Sequence, residues 1–278
     1  MIDGKKMNNL AQQYEEQGFV LIQGKEDEFS ALRSDFLRVF NEISFLNGAG
    51  EIKNDQDIIS LYNVNNRKPW VAAYDQLRYL PGLYSLVDKP MMAILKDVCG
   101  LGFCAYTSKI AVRVDMPMGE GSSLAPAHQD YPTHQGSSNS VTIWIPLQDV
   151  TSTDGPIQIL PGSHKSGISQ DKRINEWSNK PGTLVKHKGL KGHWESSSHL
   201  DEQFQEVPMV SGQVLVFSTL LLHRSGVNMG DQIRYSLNIR LNDLTDPIYA
   251  RRYYYLNETT SVRKSEVDFD VKFPKKNK

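Results

Sequence analysis

The second half of this chain is cut into short apolar runs, and that cutting limits what it can fold into. Residues 110–114, 140–147, 214–217 and 233–241 are apolar or alternate apolar with polar. Turn residues separate them, among them Asp154-Gly155-Pro156 and Leu160-Pro161-Gly162-Ser163. Runs this short match strands and fall short of helices. Several of them joined by turns predict a sandwich, barrel or jelly roll.

The first hundred residues follow another rule. Residues 8–17 suit a short helix stopped by Gly18, and residues 19–22 a buried strand. Between 28 and 45, Phe29, Leu32, Phe36, Val39, Phe40 and Ile43 recur at spacings of three and four, which predicts an amphipathic helix whose aromatic stripe is core. Residues 90–98 predict another helix, with Pro90 in its first turn. The expected architecture is mainly β with flanking helices. Residues 1–100 form a helical support, 105–245 a β core, and 1–278 one domain.

Composition sets outer bounds. The 278 residues are 39% hydrophobic and 23% charged, enough for a sizeable core. A formal net charge of −1 gives no argument for a nucleic-acid or membrane partner. The start lacks an apolar leader, and no run of about 18 apolar residues occurs. Cys99 and Cys104 have no second cysteine pair to make a zinc site, and read as buried thiols in a reducing cytoplasm.

The chemistry gathers at Ala127-His128-Gln129-Asp130-Tyr131. On an extended segment, His128 and Asp130 share a face, so an imidazole and a carboxylate converge. A well-held metal needs a third ligand, and the best candidate is His223, which ends the apolar run from Val214. Two histidines and one carboxylate with open positions suit non-haem Fe(II) and O2. Arg234 follows eleven residues later on an alternating run, sharing its face with Ser236. That pair suits a bidentate contact to a carboxylate backed by a hydroxyl.

Together these residues resemble the phytanoyl-CoA dioxygenase family. The resemblance rests on His128-Gln129-Asp130, on Ile159-Leu160-Pro161-Gly162-Ser163-His164, and on His223-Arg224-Ser225-Gly226 with Arg234. It extends to the opening Tyr14-Glu15-Glu16-Gln17-Gly18-Phe19-Val20-Leu21-Ile22. It implies a double-stranded β-helix, jelly-roll and cupin-like. It also implies an Fe(II)- and 2-oxoglutarate-dependent dioxygenase that uses O2, hydroxylates a C–H bond and releases succinate and CO2. His128, Asp130 and His223 would then hold the iron, and Arg234 the distal carboxylate of 2-oxoglutarate. Ser225 matches a family serine at the cosubstrate, and Trp144 a family pocket tryptophan. Because Asp130 is present, hydroxylation is favoured over halogenation; desaturation and ring formation stay open.

The remaining histidines read differently. His164, in a loop after Gly-Ser, is expected to bond the backbone, and His134 to line the pocket from a loop. His187, His193 and His199 fall in a polar, exposed segment. Residues 165–205 form a long polar stretch carrying Trp177 and Trp194, read as a lid or a solvated insertion. The substrate is expected to be a small polar metabolite. A CoA thioester would want a basic cluster, for which Lys186, Lys188 and Lys191 stand ready. A non-catalytic jelly roll that binds a metal or sugar is the alternative. It explains the His-x-Asp pair but gives no reason for Ser225 and Arg234 at their offsets.

Overall fold

The computed structural model describes residues 4–107, 110–117, 124–134, 136–169, 203–247, 249 and 274. Among the described residues, nine strands form two antiparallel sheets. They are β1 (Phe19–Gln23), β2 (Cys104–Tyr106), β3 (Ala111–Asp115), β4 (Val141–Pro146), β5 (Gln158–Ile159), β6 (Gln205–Glu206), β7 (Gln213–Ser218), β8 (His223–Arg224) and β9 (Arg234–Asp243). The larger sheet runs β1-β7-β4-β9-β2, with β3 on the same edge of β9 as β2. The smaller runs β6-β5-β8.

Strand parity decides what each side chain meets. On β9, Tyr235, Leu237, Ile239 and Leu241 point into the main core, and so do Val141, Ile143 and Ile145 of β4. The opposite parity of β4 and β7 (Trp144, Leu215, Phe217) packs between the two sheets against Ile157 and Ile159. One face of the large sheet therefore meets helices, and the other meets the small sheet and the site. Both faces are covered, which is why all six residues of β4 are buried.

The helical layer is α1 (Gly4–Gln17), α2 (Glu26–Leu46), α3 (Asp55–Asn63), α4 (Lys68–Leu77) and α5 (Lys89–Cys99). α2 buries Phe29, Leu32, Phe36 and Phe40 as its periodicity predicts, and Glu26, Asp27 and Glu28 complement the dipole at its first turn. Periodicity does not reveal α3 and α4, because both are short. Their start signals are local: a capping box joins Asn54 and Asp57, and Pro69 lies in the first turn of α4. Helical residues outnumber strand residues among those described, so this layer is larger than a flanking role suggests.

Two contacts tie the helices to β9 beside Arg234. The Tyr235 hydroxyl donates to Asp55 Oδ1 at 2.9 Å, and the Arg33 guanidinium, itself bonded to Asp55 Oδ2 at 3.0 Å, lies over the Tyr235 ring at 5.6 Å from its centroid. Of the 165–205 stretch, residues 170–202 lie outside the described residues, together with His187, His193, His199, Lys186, Lys188, Lys191, Trp177 and Trp194. Residues 131–134, expected as a loop, form a short helix, α6 (Tyr131–His134), with Pro132 in its first turn.

Candidate active site

His128 and His223 lie opposite each other in an antiparallel bridge on the edge of β8 away from β5. The His128 amide donates to the His223 carbonyl at 2.9 Å, and the return bond is 3.0 Å. This pairing brings together two residues far apart in sequence, with ring centroids 4.2 Å apart. Asp130 stands between them: Oδ1 lies 3.7 Å from His128 Nε2, and Oδ2 lies 3.9 Å from His223 Nε2. One ligand atom from each residue falls within 4.8 Å of the others, and all three residues are buried.

The rings are oriented from behind. His128 Nδ1 lies 2.7 Å from the Pro126 carbonyl, and His223 Nδ1 lies 3.0 Å from the Leu221 carbonyl. A carbonyl only accepts, so each Nδ1 carries the proton and each Nε2 presents its lone pair. Burial, and next the neighbouring His223, pull His128 down to about 3. Burial likewise lowers His223, with Asp130 opposing. Two neutral imidazoles and one carboxylate, converging with Nε2 atoms inward, fit a divalent first-row metal.

Asp130 is gripped at both oxygens. The Thr142 hydroxyl donates to Oδ2 at 2.6 Å, and an Arg240 terminal nitrogen donates to Oδ1 at 2.9 Å. Thr142 and Arg240 are directly paired residues of β4 and β9. Next to Asp130, the Gln129 side chain is bonded to the backbone instead. Its amide donates to the carbonyls of Gly167 (2.8 Å) and Leu220 (2.6 Å), fastening the segment that carries the pair.

A pocket opens beside the three ligands. Its lining includes His128, His223, Trp144, Ser225, Arg234 and Arg240. Arg234 is 3% exposed and donates to Asp115 Oδ2 at 2.8 Å, its register partner on β3. Arg113 also holds Asp115, at 2.8 Å to Oδ1. Burial alone would raise the Asp115 carboxyl; Arg113, then Arg234, overcome it and bring it down to about 2. A second Arg234 nitrogen faces the carbonyls of Asp154 (3.3 Å) and Gly226 (3.5 Å). Gly226 itself packs closely on the Gly155-Pro156 backbone, where a Cβ would sit 2.2 Å from the Pro156 carbonyl oxygen. The Arg234 Nε is buried with no hydrogen-bond partner among the described residues.

The other expected residues sort as follows. Trp144 is 3% exposed and walls the pocket. Ser225 lines it, with its hydroxyl accepting from the Ala125 amide at 3.1 Å. Ser236 shares the parity of Arg234 and is buried, but it does not line this pocket, and its hydroxyl has no partner among the described residues. His164 reaches the backbone as expected, Nε2 to the Glu15 carbonyl at 3.3 Å. His134 lies on α6, and its side chain is outside the described set.

Sequence reasoning missed Thr142, Asp115, Arg113, Asn238 and Arg240. Arg240 and Asn238 were within reach, since both share the parity of Arg234 on one strand. Thr142 carried no signal, because a threonine in a strand is ordinary. Asp115 meets Arg234 only through the β3–β9 register, which the sequence does not reveal.

Comparison with known proteins places this geometry. The family model for phytanoyl-CoA dioxygenase matches residues 14–236. A Caenorhabditis briggsae phytanoyl-CoA dioxygenase domain-containing protein 1 homolog is 27% identical over 100 residues, 36% of this chain and 33% of its own length. An L-proline trans-4-hydroxylase of Streptomyces griseoviridis is 27% identical over 172 residues, 57% of this chain and 63% of its own length. These alignments thus span between a third and two thirds of the curated relatives. The crystal structure of AviO1 from Streptomyces viridochromogenes superposes with a TM-score of 0.54 at 15% identity, over 88% of this chain and 99% of that one. The two-sheet core is therefore the jelly roll of that structural group, and the chain belongs to the phytanoyl-CoA dioxygenase family.

Proposed function

We propose that this chain is an Fe(II)- and 2-oxoglutarate-dependent dioxygenase that hydroxylates an unactivated C–H bond of a small metabolite. The observation that carries the reading is a convergence: His128, Asp130 and His223 meet in one buried cluster, and Arg234 faces the same pocket. Membership of the dioxygenase family and likeness to a proline hydroxylase support it. When bound, iron and 2-oxoglutarate supply O2 activation coupled to decarboxylation, with succinate and CO2 released.

The protein's own residues bind, orient and exclude. His128, Asp130 and His223 hold the metal, with backbone carbonyls fixing the ring tautomers. Arg234 takes the distal carboxylate of 2-oxoglutarate, and Asp115 holds its guanidinium in place. Ser225 and Trp144 flank the cosubstrate. Ser236, two residues along the same face from Arg234, is buried and does not line the pocket, so its expected contact with the same carboxylate is the least supported of the set. The apolar cluster of Leu215, Phe217, Ile157 and Ile159 packs between the sheets, with Phe217 against the His223 ring at 4.7 Å between centroids, and would keep bulk water from that side of the site.

No helix among the described residues is long and apolar enough to cross a membrane. Neither Cys99 nor Cys104 is joined in a disulfide, which supports a reducing, cytoplasmic setting. The described residues belong to one oxygenase domain in this reading. Calorimetric titration of 2-oxoglutarate in the presence and absence of Mn(II) tests the proposal. Saturable, metal-dependent binding is expected. Binding that ignores the metal, or no binding at all, would overturn it.

A further inference from the structure

Four positions of β9 face the site side in alternation, and they divide into two ends. Arg234 and Ser236 stand at one end, Asn238 and Arg240 at the other. At about 3.4 Å per residue, Asn238 and Arg240 lie roughly 14 and 20 Å along the strand from Arg234. In the proposed dioxygenase, 2-oxoglutarate occupies Arg234, and the role of the far end rests on that reading.

Arg240 carries an unmet requirement. Its side chain is only 12% exposed, and Asp130 is the carboxylate it pairs with among the described residues. Its Nε is buried without a hydrogen-bond partner there, although the residue lines the pocket. A divalent metal on Asp130 would draw on that same carboxylate, leaving a buried guanidinium beside a like charge. An incoming anion would restore the balance. Two residues away on the same face, the half-buried Asn238 lines the pocket as well, and its amide makes no side-chain hydrogen bond among the described residues. Trp144, the register partner of Asn238, supplies an apolar wall beside it.

The geometry points to a second anion subsite at the metal end of the pocket, where Arg240 and Asn238 bind a carboxylate on the substrate. Arg240 and Asn238, which both line the pocket, offer a guanidinium and an amide donor for the two oxygens of a carboxylate. A phosphate would bring a third oxygen and a second charge that these two side chains leave unmet. The substrate class is therefore a small carboxylic acid held by its acid group on this ridge, with Trp144 against its carbon frame.

The test uses the whole chain loaded with Mn(II), which binds without turnover, and 2-oxoglutarate. Thermal shift and then calorimetry are run against common amino acids, hydroxy acids, and alicyclic and aromatic acids. Each acid is paired with its primary amide, and sugar and nucleoside monophosphates form a separate arm. At least one acid is expected to bind, with its amide weaker by about tenfold or more. Asn238→Asp, which places a like charge on the subsite, should weaken the acid by at least about tenfold and leave 2-oxoglutarate binding within about twofold. Arg240→Gln should weaken the acid as well. Amides binding as tightly as acids, phosphates binding in preference, or no acid binding would overturn the subsite. Loss of 2-oxoglutarate binding in Asn238→Asp would assign these residues to the cosubstrate instead. Failure of the unsubstituted chain to bind 2-oxoglutarate with Mn(II) would count against the oxygenase reading itself, and is read separately.

Discussion

Thr142 and Arg240, directly paired across β4 and β9, hold the two oxygens of Asp130, at 2.6 and 2.9 Å. The Asp130 carboxylate is thus positioned by the sheet rather than by its own loop. Thr142→Val keeps the shape and β-branching but removes the donor. It should cost about 1.5–3 kcal/mol of stability, the range for a hydrogen bond to a charged group, and weaken Mn(II) binding. Denaturant unfolding together with Mn(II) titration checks both. Unchanged stability and affinity would show that Asp130 holds its place without Thr142.

Arg234→Lys tests the cosubstrate end. Lysine keeps the charge and loses the planar fork that meets Asp115 and a ligand carboxylate together. The apparent Michaelis constant for 2-oxoglutarate should rise about tenfold or more, at about 1.4 kcal/mol per decade. If 2-oxoglutarate dependence stays constant while substrate dependence changes, Arg234 serves the substrate instead.

The histidines predict a pH response in the metal-free protein. Burial first, and His223 next, bring His128 down to about 3, and burial lowers His223 too. Unfolded histidines titrate near about 6.5. Above that, both states are neutral and the full stability is present. As pH falls below it, the unfolded chain takes up protons that the folded chain refuses, so stability drops toward the folded values. Each such histidine contributes at most about 1.4 kcal/mol per pH unit. Chemical unfolding with a chelator present, at pH 7 and pH 5.5, should show lower stability at 5.5, and His128→Asn should reduce the slope. Stability that is flat or rising on acidification would contradict the buried, neutral pair.

Gly18 ends α1 with φ +82°, and a Cβ there would lie 2.4 Å from His164 Nδ1. Gly18→Ala should destabilise the fold by about 2–4 kcal/mol, combining left-handed strain with overpacking against a buried ring. A melting temperature equal to that of the parent chain would show that His164 moves aside without cost.

How much of this was legible in the sequence depends on the range of each interaction. Alternation on β9 and helical spacing on α2 are local, so Arg234 and the Phe29-Leu32-Phe36-Phe40 stripe could be read directly. His223 is remote from His128; its place at the end of the apolar run from Val214 made it the candidate, and the family resemblance supported it. The antiparallel bridge then explains why it arrives. Asp115 could not be read, because its contact with Arg234 depends on strand register. The helices at 55–63 and 68–77 were obscured by their shortness, which leaves periodicity too few turns to register.

The central claim is that His128, Asp130 and His223 hold an iron that works with 2-oxoglutarate. Succinate formed from 2-oxoglutarate, measured with and without Fe(II), in the parent chain and in Asp130→Ala, tests it most directly. The account predicts Fe(II)-dependent succinate from the parent chain, including slow turnover without substrate, and loss of it in Asp130→Ala alongside weakened iron binding. Succinate formation that persists in Asp130→Ala with iron occupancy intact, or that is absent from the iron-loaded parent chain, would contradict it.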